Sequence, residues 1–254
     1  MDFKEVATRA ALRAGAAVRE GFGRPLSVKS KGVEGVVTES DFLSERIIKE
    51  EIRSAFPDHG ILSEESPEEK GSIPYRWIID PLDGTTNYSH SFPHFSVSIA
   101  LEENGKVVLG VVLDPLRDEL FLAEAGKGAR LNGKAIQVSR TEKLGRSLLA
   151  IDFPRDLAAK DGGIFRDFAA LSRKAQALRR AGSAALELCY VAAGRLEGYW
   201  NPRFHSWDAA AGWLILNEAG GMITDLNGGP FSLGSGKCLA TNGLVHEKIL
   251  RILT

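Results

Sequence analysis

The chain has 254 residues, with 32 lysines and arginines against 33 aspartates and glutamates, for a formal net charge of −1. Such an even balance gives no basic footprint for nucleic acid and no polybasic patch for a membrane surface, so both partner classes are set aside. The length suits one large domain or two modest ones, with most apolar surface buried.

At the start, Phe3, Val6, Ala7, Ala10, Ala14, Ala17 and Val18 recur at helical spacing, and Gly21 and Gly23 close the element. The opening residues Met1 to Glu5 have neither the basic nor the apolar region of a secretion signal, and no apolar run reaches membrane-span length. A second helix is expected over 41–56, with Leu43, Ile47, Ile48 and Ile52 on one face and Pro57 as its stop. Trp77, Ile78 and Ile79 read as a strand. Runs 96–101 and 106–113 flank Asn104-Gly105, a hairpin signal, and a further strand at 119–123 precedes a turn at 131–134.

Beyond about residue 145 the pattern alternates. Strands are expected at 147–151, 197–200 and 222–224. Helices are expected at 164–178, at 182–193, after Asp208 and from Leu244. This divides the chain into an antiparallel α+β part, 1–140, and an α/β part, 141–254. Cys189 and Cys238 lie far apart without metal-type spacing and read as buried thiols of a reducing compartment, so a cytoplasmic location is expected.

Residues 77–87 carry the most chemistry: Trp-Ile-Ile-Asp-Pro-Leu-Asp-Gly-Thr-Thr-Asn. A strand delivers Asp80 and Asp83 to a tight turn that ends in glycine and hydroxyl residues. Mg²⁺ takes oxygen ligands and completes its shell with water and substrate phosphate, so a few carboxylates suffice. Gly84 lets the backbone approach a ligand, and its amide with that of Thr85 would point at an anion if a helix follows. Upstream, Glu64 and Glu65 follow a short apolar pair. Downstream, Asp208 precedes an Ala/Gly-rich helix that ends near Gly221. His59, His90, His94, His205 and His246 are scattered without a His-x-x-x-His pair and are read as structural.

Together the segments 64–66, 77–87 and 207–221 resemble the inositol monophosphatase family of Mg²⁺-dependent, lithium-sensitive phosphatases. The resemblance implies a layered αβαβα sandwich of the inositol monophosphatase and fructose-bisphosphatase type, with the site between the two parts. It implies two or three Mg²⁺ ions: Glu64, Asp80 and the Leu82 carbonyl at one site, Asp80, Asp83 and Asp208 at a second, and Glu64 again at a weaker third. Gly84 and Thr85 match phosphate-binding amides, and Thr85 with Asp41 matches a hydroxyl–carboxylate pair that activates water. Gly182, Ser183 and Ala184 match a substrate-side loop, with Asn201 and Arg203 as further substrate-side candidates. The family also suggests a homodimer.

Two positions depart from the family pattern. Gly35 stands where an aspartate is common, and Asn201 stands where many members carry a glutamate that bonds inositol hydroxyls. An amide donates and accepts hydrogen bonds without charge, so the substrate does not follow from the metal ligands. Inositol monophosphate heads the expectation; fructose 1,6-bisphosphate, histidinol phosphate and NADP-type nucleotides are the alternatives. A regulator that binds protein or RNA-processing machinery is the alternative of another class.

Overall fold

The computed structural model describes residues 2–24, 27–32, 35–153 and 162–253. Helix α1 (Phe3–Gly21) starts where the Asp2 carboxylate accepts the Lys4 amide at 3.1 Å, and it buries Ala7, Ala10, Ala11 and Ala14. This small-residue stripe admits a close neighbour, α2 (Glu39–Ala55), which follows the antiparallel pair β1 (Val28–Ser30) and β2 (Val36–Thr38). Helix α2 starts two residues earlier than its apolar pattern suggests. Thr38 caps it, and Asp41 Oδ2 accepts the Thr38 amide at 2.8 Å to close a capping box.

The inward face of α2 also differs from expectation. Leu43 is 36% exposed, whereas Asp41, Ser44, Glu45 and Lys49 are buried beside Ile48 and Ile52. Polar groups at that depth need partners. Ser44 Oγ donates to the Pro81 carbonyl at 2.6 Å, and Ser66 joins Glu45 to Lys49, bracing the loop that carries Glu64.

Strands β3 (Gly60–Ser63), β4 (Tyr75–Asp83), β5 (Ser96–Glu103), β6 (Lys106–Asp114), β7 (Glu119–Glu124), β8 (Ala129–Leu131) and β9 (Lys134–Ala135) form one sheet in chain order, with α3 (Thr85–Ser89) after β4. Its pairings are antiparallel except β3–β4, which is parallel and is joined by the crossover that holds Glu64 to Ser66. The hairpin at Asn104-Gly105 is present with both residues at positive φ, 50° and 77°, as a type I′ turn requires.

Alternation along these strands makes both faces apolar. Trp77, Ile79, Val97, Ile99 and Val111 pack against α1 and α2, while Ile78, Ala100, Val112 and Phe121 face the other way. The second sheet holds β10 (Leu148–Ile151), β11 (Ala177–Arg179), β12 (Gly198–Asn201), β13 (Met222–Thr224) and β14 (Cys238–Thr241) in the order β11-β10-β12-β14-β13. Helix α4 (Gly162–Lys174) lies in its outer layer, while α5 (Ala184–Ala192) and α6 (Ser206–Glu218) are sandwiched between the sheets and share a core with both. Helix α7 (His246–Leu253) joins α4 against Leu149, Ile151, Trp200 and Leu239. The layers therefore run helix, sheet, helix, sheet, helix, the expected αβαβα sandwich. Helix α6 approaches β6 so closely that a Cβ on Gly110 would stand 2.7 Å from the Ala211 carbonyl oxygen.

Several local expectations are corrected. The helix expected over 164–178 ends at Lys174, because the Gln176 amide bonds the Ser147 carbonyl at 3.0 Å and the chain continues as β11. The helix expected from 182 starts at Ala184, since Gly182 has φ +84°, outside the helical region. Tyr88, Trp200 and Phe204 are buried; Tyr88 Oη donates to the Val18 carbonyl at 2.8 Å. Trp207 and Trp213 are partly buried at the margin of the core between the sheets.

Candidate active site

The register of β4 against β5 slips between Asp80 and Asp83, where Pro81 has no amide to give the ladder. The turn then closes at Gly84, with φ +96°. A Cβ there would meet the His94 carbonyl oxygen at 3.0 Å and that of Gly182 at 3.2 Å, so only glycine fits without strain. Helix α3 follows at once, so the amides at its start have no intrahelical acceptor.

Asp80 is buried, and its Oδ1 accepts the Leu82 amide at 3.1 Å. Burial, then the negative charges of Glu64, Asp83, Asp208 and Asp41, push its carboxyl well above the usual range. Asp83 is raised to about 6, mainly by burial, although it accepts Ser183 Oγ at 2.5 Å and the amides of Ala184 and Ala185 at 3.2 and 2.9 Å. Asp208, third residue of α6, accepts the His205 amide at 2.7 Å; burial with Asp83 and Glu64 also holds it well above its ordinary value. Residues from three distant segments thus share one electrostatic environment.

Thr85 Oγ1 lies 2.9 Å from Asp41 Oδ1 and 2.9 Å from the Leu82 carbonyl oxygen, so one hydroxyl proton has two acceptors. Asp41 Oδ2 is committed to Thr38, at 2.8 Å to its amide and 2.6 Å to its hydroxyl, and burial raises the Asp41 carboxyl. Glu64 is half-buried, and its Oε1 accepts Lys31 Nζ at 2.8 Å; the same ammonium reaches Glu65 at 2.6 Å. Burial works against the Lys31 charge, but Glu64 and Glu65 outweigh it and push its pKa up to about 12. The sequence reading missed Lys31. Its only signal is a lysine 33 residues upstream of Glu64, on a segment with no helical or strand period to aim it.

From the second part of the chain, Gly182 faces the Asn87 amide, and Ser183 is fully buried against Asp83 beside Ala184. Asn201 is only 5% exposed. Its Nδ2 donates to Tyr199 Oη at 2.7 Å, and its Oδ1 accepts the Arg203 amide at 2.9 Å. The Asn201 amide is therefore spent inside the fold, whereas Arg203 is exposed. Of the histidines, His59 accepts Trp77 Nε1 at 3.1 Å and His246 sits between Thr224 and Thr241, as structural residues do.

Glu64, Asp80, Asp83 and Asp208 offer oxygen donors without thiolate or imidazole, and burial followed by the charge of neighbouring carboxylates holds Asp80, Asp83 and Asp208 high; this fits a hard divalent cation. Among the described residues no three His, Cys, Asp or Glu side chains yet converge at ligating separation. Glu64 is tied to Lys31, Asp83 to Ser183 and Asp208 to His205, so a closed shell requires some of these bonds to yield.

A layered αβαβα sandwich with buried carboxylates beside a helix start belongs to the class of phosphoric monoester hydrolases. The chain belongs to the inositol monophosphatase family, whose sequence profile matches residues 2–254. It is 44% identical to an inositol-1-monophosphatase of Synechocystis over 98% of this chain and 88% of that one. It is also 42% identical to the Nus factor SuhB of Pasteurella multocida, over 96% and 93%. The solved inositol monophosphatase of Anabaena superposes with a TM-score of 0.88 at 42% identity, covering 98% of this chain and 94% of that one.

Proposed function

We propose that this chain is a Mg²⁺-dependent phosphomonoesterase that hydrolyses myo-inositol monophosphate to inositol and phosphate. The observation that carries this reading is the Thr85–Asp41 hydrogen bond at 2.9 Å, set beside carboxylates that hold one another's charge in check. In this reading Glu64, Asp80 and the Leu82 carbonyl hold one cation. Asp80, Asp83 and Asp208 hold a second, and Glu64 contributes to a weaker third. Mg²⁺, when bound, supplies positive charge that offsets the phosphate and lowers the pKa of nearby water.

The chain's own residues do the rest. Amides of Gly84 and Thr85 receive phosphate oxygens and orient the ester for in-line attack. Thr85 Oγ1 takes a proton from the attacking water as it passes its own to Asp41 Oδ1, whose burial readies it to accept. The water oxygen bonds to phosphorus, the ester P–O bond breaks, and the departing alkoxide takes a proton from solvent. Lithium sensitivity, a cytoplasmic location and a homodimer belong to the same reading; the buried free thiols Cys189 and Cys238 support the reducing compartment.

Asn201 bears on substrate choice. With its amide occupied by Tyr199 and Arg203, it acts by shaping the end of β12 and presents no charge to a polyol. The test is phosphate release from inositol 1-phosphate, fructose 1,6-bisphosphate, histidinol phosphate and NADP, with Mg²⁺ present or chelated. Turnover led by inositol 1-phosphate and lost on chelation supports the proposal. Release from none of the four moves the weight to the regulator reading, which the relative named Nus factor SuhB leaves open.

A further inference from the structure

We infer that Glu187 is a positioning residue of this active site: it holds the turn of residues 181–183 where Ser183 and the start of α5 grip Asp83. The inference rests on the phosphatase reading above and adds a residue to it. Glu187 lies one turn into α5 and is 1% exposed. Its Oε1 accepts the amides of Ala181 at 3.1 Å and Gly182 at 3.3 Å, reaching back to the loop before its own helix.

The opposite edge of that loop is held by Asn87, whose Nδ2 donates to the carbonyls of Ala181 at 2.7 Å and Gly182 at 3.4 Å. The same nitrogen donates to the His94 carbonyl at 2.7 Å, and Asn87 itself lies in α3, directly after the turn at Gly84. Glu187 therefore secures the amides of the loop and Asn87 its carbonyls. Between them Gly182 is kept at φ +84°, and the next side chain, Ser183, delivers its hydroxyl to Asp83 at 2.5 Å.

Stability alone does not account for a carboxyl here. Glu187 Oε2 is buried without a partner, and a group left in that state costs more than an apolar side chain of the same size would. Helix α5 is otherwise apolar at this level, with Leu186, Leu188 and Cys189 buried beside it. A buried acid retained among such neighbours is explained by what its other oxygen holds. Burial, then the charge of Asp152, keeps the Glu187 carboxyl well above the usual range.

The experiment compares Glu187→Met, which matches length and helix preference but removes the acceptor, with Glu187→Gln, which keeps it. Steady-state kinetics, Mg²⁺ calorimetry and thermal melts are measured on each full-length variant. The Met variant should melt at or above the wild-type temperature, yet lose about tenfold in kcat and need about tenfold more Mg²⁺ for half-saturation. The Gln variant should recover most of both. A Met variant with wild-type kcat and Mg²⁺ affinity, or a Gln variant as impaired as Met, overturns the role. Should Met not fold, Glu187→Ala is judged by the same measures. Calorimetry also separates the two claims: wild-type protein that binds Mg²⁺ but releases no phosphate counts against the phosphatase reading, while the Met-to-wild-type affinity ratio still decides the role of Glu187.

Discussion

Glu64, Asp83, Asp208 and Asp41 all act upon the Asp80 carboxylate. Asp80→Asn keeps its shape and removes its charge, so it should lower kcat by about three orders of magnitude, several kcal/mol of transition-state stabilisation. A folded variant with wild-type turnover would sink the assignment. Thr85→Ala should cut kcat strongly and leave Mg²⁺ affinity in place, because its hydroxyl sits between Asp41 and Leu82. Calorimetry showing affinity lost in step with rate would contradict this. His94 behaves differently: burial, then the charge of Arg117, holds it down to about 4. The unfolded chain takes up that proton first, near pH 6.5, so the folded state loses stability as pH falls from about 6.5 toward 4. Relative to His94→Phe, which has no proton to gain, wild-type protein should lose about 2 to 3 kcal/mol between pH 7 and pH 4 in denaturant titrations. At this scale the sequence was most readable where residues cluster in a short run, as from Asp80 to Thr85. It was least readable for Lys31 and Glu187, whose partners are set by the fold and lie in loops without periodicity.

Among the elements, α6 carries Asp208 and rests on β6 at Gly110 with no room for a methyl group. The nearest atoms to that methyl would be the Ala211 backbone, so Gly110→Ala must shift the helix. The change should cost about 1 to 3 kcal/mol of stability. It should also raise the Mg²⁺ needed for activity although every proposed ligand is intact; a variant destabilised but wild-type in Mg²⁺ dependence would show that α6 moves without carrying Asp208 away. Helix α1 and the Asn-Gly hairpin were legible because their signals are local, whereas α6, expected after Asp208, starts at Ser206 because the Asp208 carboxylate bonds back to the His205 amide. Helix α2 misled because its buried face is polar where it underlies the site, with Asp41, Ser44 and Glu45 in place of an apolar stripe. The end of α4 was missed because the segment 175–178, Ala-Gln-Ala-Leu, suits helix or strand, and the Ser147 carbonyl decides between them.

For the molecule as a whole, the proposed ligands are split: Glu64, Asp80 and Asp83 belong to the large sheet and its crossover, Asp208 to the helix layer between the sheets. Ions that bind only when these layers are assembled stabilise the assembly. At a Mg²⁺ concentration 100 times its Kd, unfolding should become harder by about 2.7 kcal/mol per site. Asp208→Asn should erase much of that gain in a thermal-shift titration; a shift equal to wild type would mean that Asp208 takes no part. The five-layer order was anticipated through resemblance, since strand and helix periods alone leave the stacking open. The strand read at Trp77 to Ile79 is apolar at each position and is covered on both faces.

The two oxygens of Asp41 have separate employers, Oδ2 closing the start of α2 and Oδ1 holding Thr85. A genetic screen would therefore confuse two kinds of defect at this codon. A substitution that merely frays the helix and one that merely disarms the hydroxyl produce the same loss of activity, but a general stabiliser of the fold repairs only the first. Suppressors that restore the helix through Thr38 would leave such a protein well folded and inert.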